Sequence, residues 1–180
     1  MTAFAWMREA ATVNLCTLAE DPSLGLALSA DDTVVKCYMA DTGLLSTMAF
    51  SADGPSLPDV YRQVLLGADG VNEGMLAENA VAQQLAAAGH DLYFYAKSSN
   101  VREERMEIDF LIVRPYSDAA MKPRISPIEV KSGKRYSTIS LDKLRAKFAS
   151  RTGEEYVLHP RPMAKKDHRR LLPLYMSFCL

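Results

Sequence analysis

Cysteine is scarce: the 180 residues hold three, Cys16, Cys37 and Cys179, and no two of them form a C-x-x-C pair. An odd, scattered set excludes a disulfide framework and a thiolate zinc site, and it fits a reducing compartment. Histidine is as sparse, with His90, His159 and His168 sharing no metal-ligand spacing. No apolar run approaches the roughly 20 residues that span a bilayer, and the N-terminus lacks the basic-then-apolar layout of a signal peptide. The expectation is a soluble, cytoplasmic protein. No segment matches G-x-x-x-x-G-K-[ST], so ATP hydrolysis is not expected of this chain. Ser132, Ser137 and Ser140 stand in no motif that pairs them with a histidine and an acid, which removes serine-hydrolase chemistry.

What remains is globular composition, 48% hydrophobic and 24% charged, in a chain long enough for one domain with a real core. Net charge is only −1, but it is unevenly spread. Residues 1–60 sit near −6 and residues 131–170 near +8. A basic second half is compatible with a polyanionic partner.

Hydrophobic spacing predicts a helix over 3–19, a strand in SLGLALS, a turn at Asp31-Asp32 and a second strand in TVVKCYMA. A short helix over 44–50, a Gly- and Pro-bearing loop and a helix over 58–66 follow. From residue 74 the pattern sharpens. GMLAENAVAQQLAAA is a helix closed by Gly89, and HDLYFYAK, MEIDFLIVRP and ISPIEVK read as three strands. SLDKLRAKFASRT reads as an amphipathic helix, EEYVLHP as a core strand, RPMAKKDHRR as a basic loop or turn, and LLPLYMSFCL as an apolar strand or docking segment. Helix, strand, strand, strand, helix, strand implies a mixed α/β sheet with helices on its faces.

Four charged residues interrupt this apolar frame. Glu129 and Lys131 share one face of ISPIEVK, since strand side chains alternate, and alone they read as an ordinary surface ion pair. Asp109 stands on the polar face of MEIDFLIV. Glu78 stands on a helical stripe otherwise made of Val81, Ala82, Leu85 and Ala88, where a carboxylate is costly unless paired or bound to a cation. If the two strands are neighbours, Asp109, Glu129 and Lys131 converge, and Glu78 reaches them from the helix. Such a group suits Mg²⁺ or Mn²⁺ bound by Asp109, Glu129 and the backbone carbonyl of Val130, with Glu78 as a further ligand or part of the water network. Lys131 would orient water or stabilise charge on a phosphoryl oxygen.

In their order, Glu78 on a helix, Asp109 in M-E-I-D-F-L-I-V and Glu129-Val130-Lys131 in P-I-E-V-K-S-G resemble the PD-(D/E)XK nuclease superfamily. Within it, KCYMADTGLL, NEGMLAENAVAQQL, LYFYAKSS, MEIDFLIV, PIEVKSGK and LPLYM resemble a domain of unknown function (DUF4143) that follows an AAA-type ATP-binding module in many prokaryotic proteins. The resemblance covers roughly residues 36–176. It implies a restriction-endonuclease-like fold, α/β with an α-β-β-β-α-β core, over residues 71–180. Residues 1–70 would then be an N-terminal helix-and-hairpin extension, the tail of a preceding domain. It also implies catalytic roles for Glu78, Asp109, Glu129 and Lys131, and an ATP-binding module as a partner.

Lys134, Arg135, Lys143, Lys147, Lys165 and Lys166 are candidates for a wall that contacts nucleic-acid phosphates. The expected function is metal-dependent hydrolysis of DNA or RNA. The competing expectation is a catalytically silent nuclease-like fold that binds nucleic acid or a protein and regulates the attached ATPase.

Overall fold

The computed structural model describes residues 3–50, 73–114, 124–133 and 135–180. The helix expected over 58–66 and the loop before it lie outside the described residues, as does Lys134. Chain order is α1 (Ala3–Glu9), β1 (Val13–Ala19), a 3-10 turn (Leu26–Ser29), β2 (Ala30–Met39), α2 (Thr42–Phe50), α3 (Glu73–Ala87), β3 (Leu92–Lys97) and β4 (Met106–Arg114). There follow β5 (Arg124–Val130), α4 (Ile139–Phe148), β6 (Glu155–His159), β7 (Ala164–Lys166), β8 (Arg169–Pro173) and a closing 3-10 segment (Leu174–Cys179).

The strands of the described residues form one mixed sheet in the order β2-β1-β3-β4-β5-β6-β8-β7. Neighbours β1–β3, β5–β6 and β6–β8 run parallel, and the other pairs antiparallel. Each face of the sheet buries its own apolar cluster. On one, Val81, Ala82 and Leu85 of α3 meet Phe94, Phe110, Ile112, Ile128 and Leu158. On the other, Leu141 and Leu144 of α4 meet Ile108, Leu111, Ile125 and Val157. The mixed α/β sheet flanked by helices is thus present, and no helix among the described residues is long and apolar enough to cross a membrane.

Four local expectations are corrected. The helix over 3–19 stops at Glu9, because Ala11 takes a left-handed backbone (φ 52°) while Thr12 N–H reaches back to the Met7 carbonyl and Ala11 N–H to that of Arg8. That closure resembles a Schellman ending without its glycine, and it releases Val13–Ala19 to pair with both β2 and β3. SLGLALS is not a strand but a loop ending in the 3-10 turn, with Leu26 buried and Leu28 exposed. Asp31-Asp32 therefore forms no turn; β2 already runs through it, and the Asp31 carboxylate binds Thr33. The basic loop at 161–170 contains a hairpin, β7 and β8, whose Lys166↔Arg169 pair flanks a turn with Asp167 at φ 53°. The last apolar segment docks as 3-10 structure on α3, where the Ser177 hydroxyl donates to Gln84 Oε1.

The hairpin of β1 and β2 is continuous with the main sheet, although residues 1–70 read as an extension in sequence. Its Cys16 and Tyr38 belong to the same buried cluster as α3. Asn79 of α3, itself buried, fastens the junction: its Oδ1 accepts the Met39 N–H at 2.8 Å and its Nδ2 donates to the Met39 carbonyl at 3.1 Å. At the other end, Glu155 is fully buried and accepts hydrogen bonds from Arg145 at 2.5 Å and from Arg169 Nε at 2.8 Å.

Glu155→Ala leaves two guanidinium groups without their shared acceptor and should cost about 3–5 kcal/mol, read as a lower urea midpoint. Removing residues 1–41 uncovers the β3 edge and takes Cys16 and Tyr38 out of the α3 cluster. That variant should lose its cooperative urea transition, whereas a self-sufficient domain beginning near residue 71 would keep it.

Candidate functional site

The β4–β5 ladder runs from Arg114↔Arg124 to Phe110↔Ile128 and stops there. One step further, Asp109 and Glu129 would face each other as a like-charged pair, which destabilises a ladder. Asp109 instead turns its carboxylate to the neighbouring backbone, and Oδ2 accepts the Val130 N–H at 2.8 Å. On the far side the parallel β5–β6 pairing continues to Val130↔Leu158, and Lys131 N–H donates to the Leu158 carbonyl at 2.8 Å. Glu129 and Lys131 thus sit on a strand held from both sides. The Lys131 ammonium stands 3.0 Å from Glu129 Oε2, as an ion pair not aligned as a hydrogen bond, and that oxygen is buried with no other hydrogen-bond partner.

The even alternation expected along MEIDFLIV is broken. Between Tyr93↔Leu111 and Tyr95↔Ile108, β3 advances two residues while β4 advances three. The extra residue is a bulge, so Phe110 and Ile112 pack towards α3 while Ile108 and Leu111 pack towards α4. Bulges of this kind re-aim side chains next to functional sites, and here the bulge falls at Asp109.

Glu78 does face the sheet, half-buried, but not towards a ring of carboxylates. Its Oε1 accepts the Tyr38 hydroxyl and lies 3.4 Å from the Lys36 ammonium. Lys36 also pairs with Glu107 at 2.6 Å and lies 5.0 Å from the centre of the Phe94 ring. A cleft of about 560 Å³ opens here, lined by Lys36, Cys37, Tyr38, Gly74, Met75 and Glu78. A larger groove of about 710 Å³ runs between β1 and the end of α3, lined in part by Arg8, Asn14 and His90, and contains none of the charged residues of this centre.

Burial dominates the electrostatics. It pushes the Asp109 carboxyl up to about 6, against the Val130 hydrogen bond; Glu78 adds to the rise, and Lys36 and Lys131 oppose it. Burial also raises Glu129, with Lys131 pulling the other way. For Lys36, burial disfavours the charge, yet the hydrogen bond to Glu107 and the charges of Glu78, Glu107 and Asp109 outweigh it and hold the ammonium above the usual lysine range. The Tyr38 phenol is raised by burial and by Glu78, so it remains a donor.

Among the described residues no three His, Cys, Asp or Glu side chains lie close enough together to hold a metal ion. The three-carboxylate cluster expected from Glu78, Asp109 and Glu129 is therefore not assembled; Lys36 stands at Glu78. Two carboxylates remain, Asp109 and Glu129, the latter with an oxygen lacking a hydrogen bond. A small hard cation such as Mg²⁺ takes one or two carboxylates and completes its shell with water, so this donor set fits one such ion.

Two residues of the expected basic wall make hydrogen bonds within the fold. Lys143 donates to the carbonyls of Arg102 and Arg105 at 2.8 Å each, and Lys147 to the Tyr95 hydroxyl at 3.0 Å, so both tie α4 to the rest of the fold. Arg135 is exposed, and Lys165 and Lys166 lie on the exposed edge strand β7.

Sequence reasoning missed Lys36, Tyr38 and Asn79. Lys36 and Tyr38 are two residues apart in TVVKCYMA, a spacing that puts both on one strand face. Reading β2 as an extension kept them apart from Glu78. Asn79 is adjacent to Glu78 on a helix of strong formers, where a buried amide signals a backbone to be clamped.

A family model described as a domain of unknown function (DUF4143) matches residues 73–176. The chain belongs to the DUF4143 family. That match spans α3 through the closing 3-10 segment and includes Glu78, Asp109, Glu129 and Lys131. No curated protein and no solved structure matches the chain. In this DUF4143 protein, the β2 residues Lys36 and Tyr38 lie before the matched region.

An aspartate whose folded pKa exceeds its ordinary value of 3.8 binds its proton more tightly when folded. That contribution is whole below about pH 4 and is lost as pH rises through about 6. In metal-free protein, Asp109→Asn should raise stability at pH 8 by up to about 3 kcal/mol, with the gain vanishing towards pH 4. Thermal unfolding of both proteins across pH 4–8 measures it.

Proposed function

We propose that this DUF4143 chain is a nuclease-like domain of the PD-(D/E)XK type that hydrolyses phosphodiester bonds of DNA or RNA with Mg²⁺ or Mn²⁺. The observation that carries the reading is the end of the β4–β5 ladder, where Asp109 accepts the Val130 N–H and Glu129 is paired with Lys131. An acid on one strand beside an acid and a lysine on the next, with an acid-bearing helix packed over the same sheet, supports a restriction-endonuclease-like reading.

Asp109 and Glu129 would hold the ion, with the Val130 carbonyl as a third oxygen. The ion supplies a Lewis acid for the phosphoryl oxygens and lowers the pKa of bound water. The protein's own residues do the remaining work. The Val130 N–H fixes the Asp109 carboxylate, and the Leu158 carbonyl fixes the backbone of Lys131. Lys131, paired with Glu129 and about a quarter exposed, presents a charged donor both to attacking water and to charge that grows on a phosphoryl oxygen. Arg135, Lys165 and Lys166 offer exposed cations to a phosphate backbone. An ATP-binding module on the same polypeptide would control access to this centre.

The ammonium of Lys36 at Glu78 favours a second reading, a silent nuclease-like fold that binds nucleic acid or a protein without cutting. Labelled single- and double-stranded DNA and RNA, incubated with Mg²⁺, Mn²⁺ or EDTA, separate the two. Cleavage should need the divalent ion and fall at least about a hundredfold in Asp109→Ala and in Lys131→Ala. Binding with no cleavage in wild type, unchanged in Asp109→Ala, would overturn the nuclease reading and leave the binding module.

A further inference from the structure

Lys36 is an unusual residue for its place. Its ammonium is only about a quarter exposed, lies 5.0 Å from the Phe94 ring, and bridges Glu78 on α3 at 3.4 Å and Glu107 on β4 at 2.6 Å. Desolvating an ammonium is costly unless opposite charge surrounds it. Glu78, Glu107 and Asp109 supply that charge, and Tyr38 adds a hydroxyl donor to the same Glu78 oxygen. Lys36 is thus the cation that faces Glu78, Glu107 and Asp109, while Lys131 faces Glu129. Removing Lys36 would leave Asp109 and Glu78 without that positive charge.

We propose that Lys36 is a built-in counter-cation that competes with a divalent ion for the acidic centre. The ammonium engages Glu78 in the metal-free protein and is displaced from it when the ion binds. This rests on the metal-dependent reading above. It makes Lys36 a positioning residue that sets ion affinity, and it gives the β1–β2 hairpin a part in the centre rather than beside it.

The test uses the full chain and Mn²⁺ alone, followed by calorimetry, in wild type, Lys36→Met, Lys36→Arg and Asp109→Asn. Lys36→Met should bind Mn²⁺ about tenfold or more tightly than wild type, because a positive charge beside the ion is gone. Lys36→Arg should resemble wild type, and Asp109→Asn should lose binding. Metal-free Lys36→Met should also melt below wild type and gain more in melting temperature from Mn²⁺. Equal or weaker binding by Lys36→Met, with Asp109→Asn still defective, overturns the role of Lys36 while the metal reading stands. Absence of binding in wild type overturns both. Should Lys36→Met fail to fold, the side-chain ammonium signal of Lys36 in wild type decides by NMR: it should shift on addition of Mg²⁺, and an unmoved signal overturns the proposal.

Discussion

Asp109 takes from Val130 the hydrogen bond that a strand carbonyl would ordinarily take, and the layout of the centre follows from that substitution. The ladder cannot extend past Phe110↔Ile128 without placing two carboxylates opposite each other. Ending it there, with an extra residue bulged into β4, lets Ile108 and Leu111 pack on the α4 side while Phe110 and Ile112 pack on the α3 side. The same bond holds β5 at the residue between Glu129 and Lys131. A backbone donor thus fixes three charged side chains relative to one another, where side-chain contacts alone would leave them adjustable.

The sheet solves the problem of buried acids in two ways. Glu155, at the start of β6, is enclosed by two arginines and fully satisfied, which is how a structural carboxylate looks. Glu129 and Asp109 are left with their carboxyls raised by burial, and Glu129 retains an oxygen that has no hydrogen bond. Structural acids are normally paired to completion. Glu129, with one oxygen held by the Lys131 ammonium and no hydrogen bond, differs in this from the fully bonded Glu155 a few residues away.

Much of this was legible in the sequence where period and composition agreed. The α3 helix, the strands β3 to β6 and α4 all follow from apolar spacing, and the convergence of Asp109 with Glu129 and Lys131 follows from strand order. The first 40 residues were not legible in the same way. Phe4, Met7, Ala11 and Leu15 have helical spacing, but Val13–Ala19 can pair on both sides, and tertiary pairing overrides local period. The bulge in β4 was invisible because M-E-I-D-F-L-I-V alternates regularly enough to read as an unbroken strand, and register is set by the partner β3. Lys36 was missed for a different reason: its meaning depends on which strand lies under α3, and no local pattern encodes that.

Strand β2 is the outermost of its sheet on that side, with β1 as its sole sheet neighbour among the described residues. Edge strands are the first parts of a sheet to open in local fluctuations. The Lys36 ammonium is therefore mounted on an edge strand, while the carboxylates it neutralises sit on α3 and β4. Opening of that edge would withdraw the Lys36 charge from Glu78 and Glu107, which ties the local potential of the site to the pairing of β2 with β1.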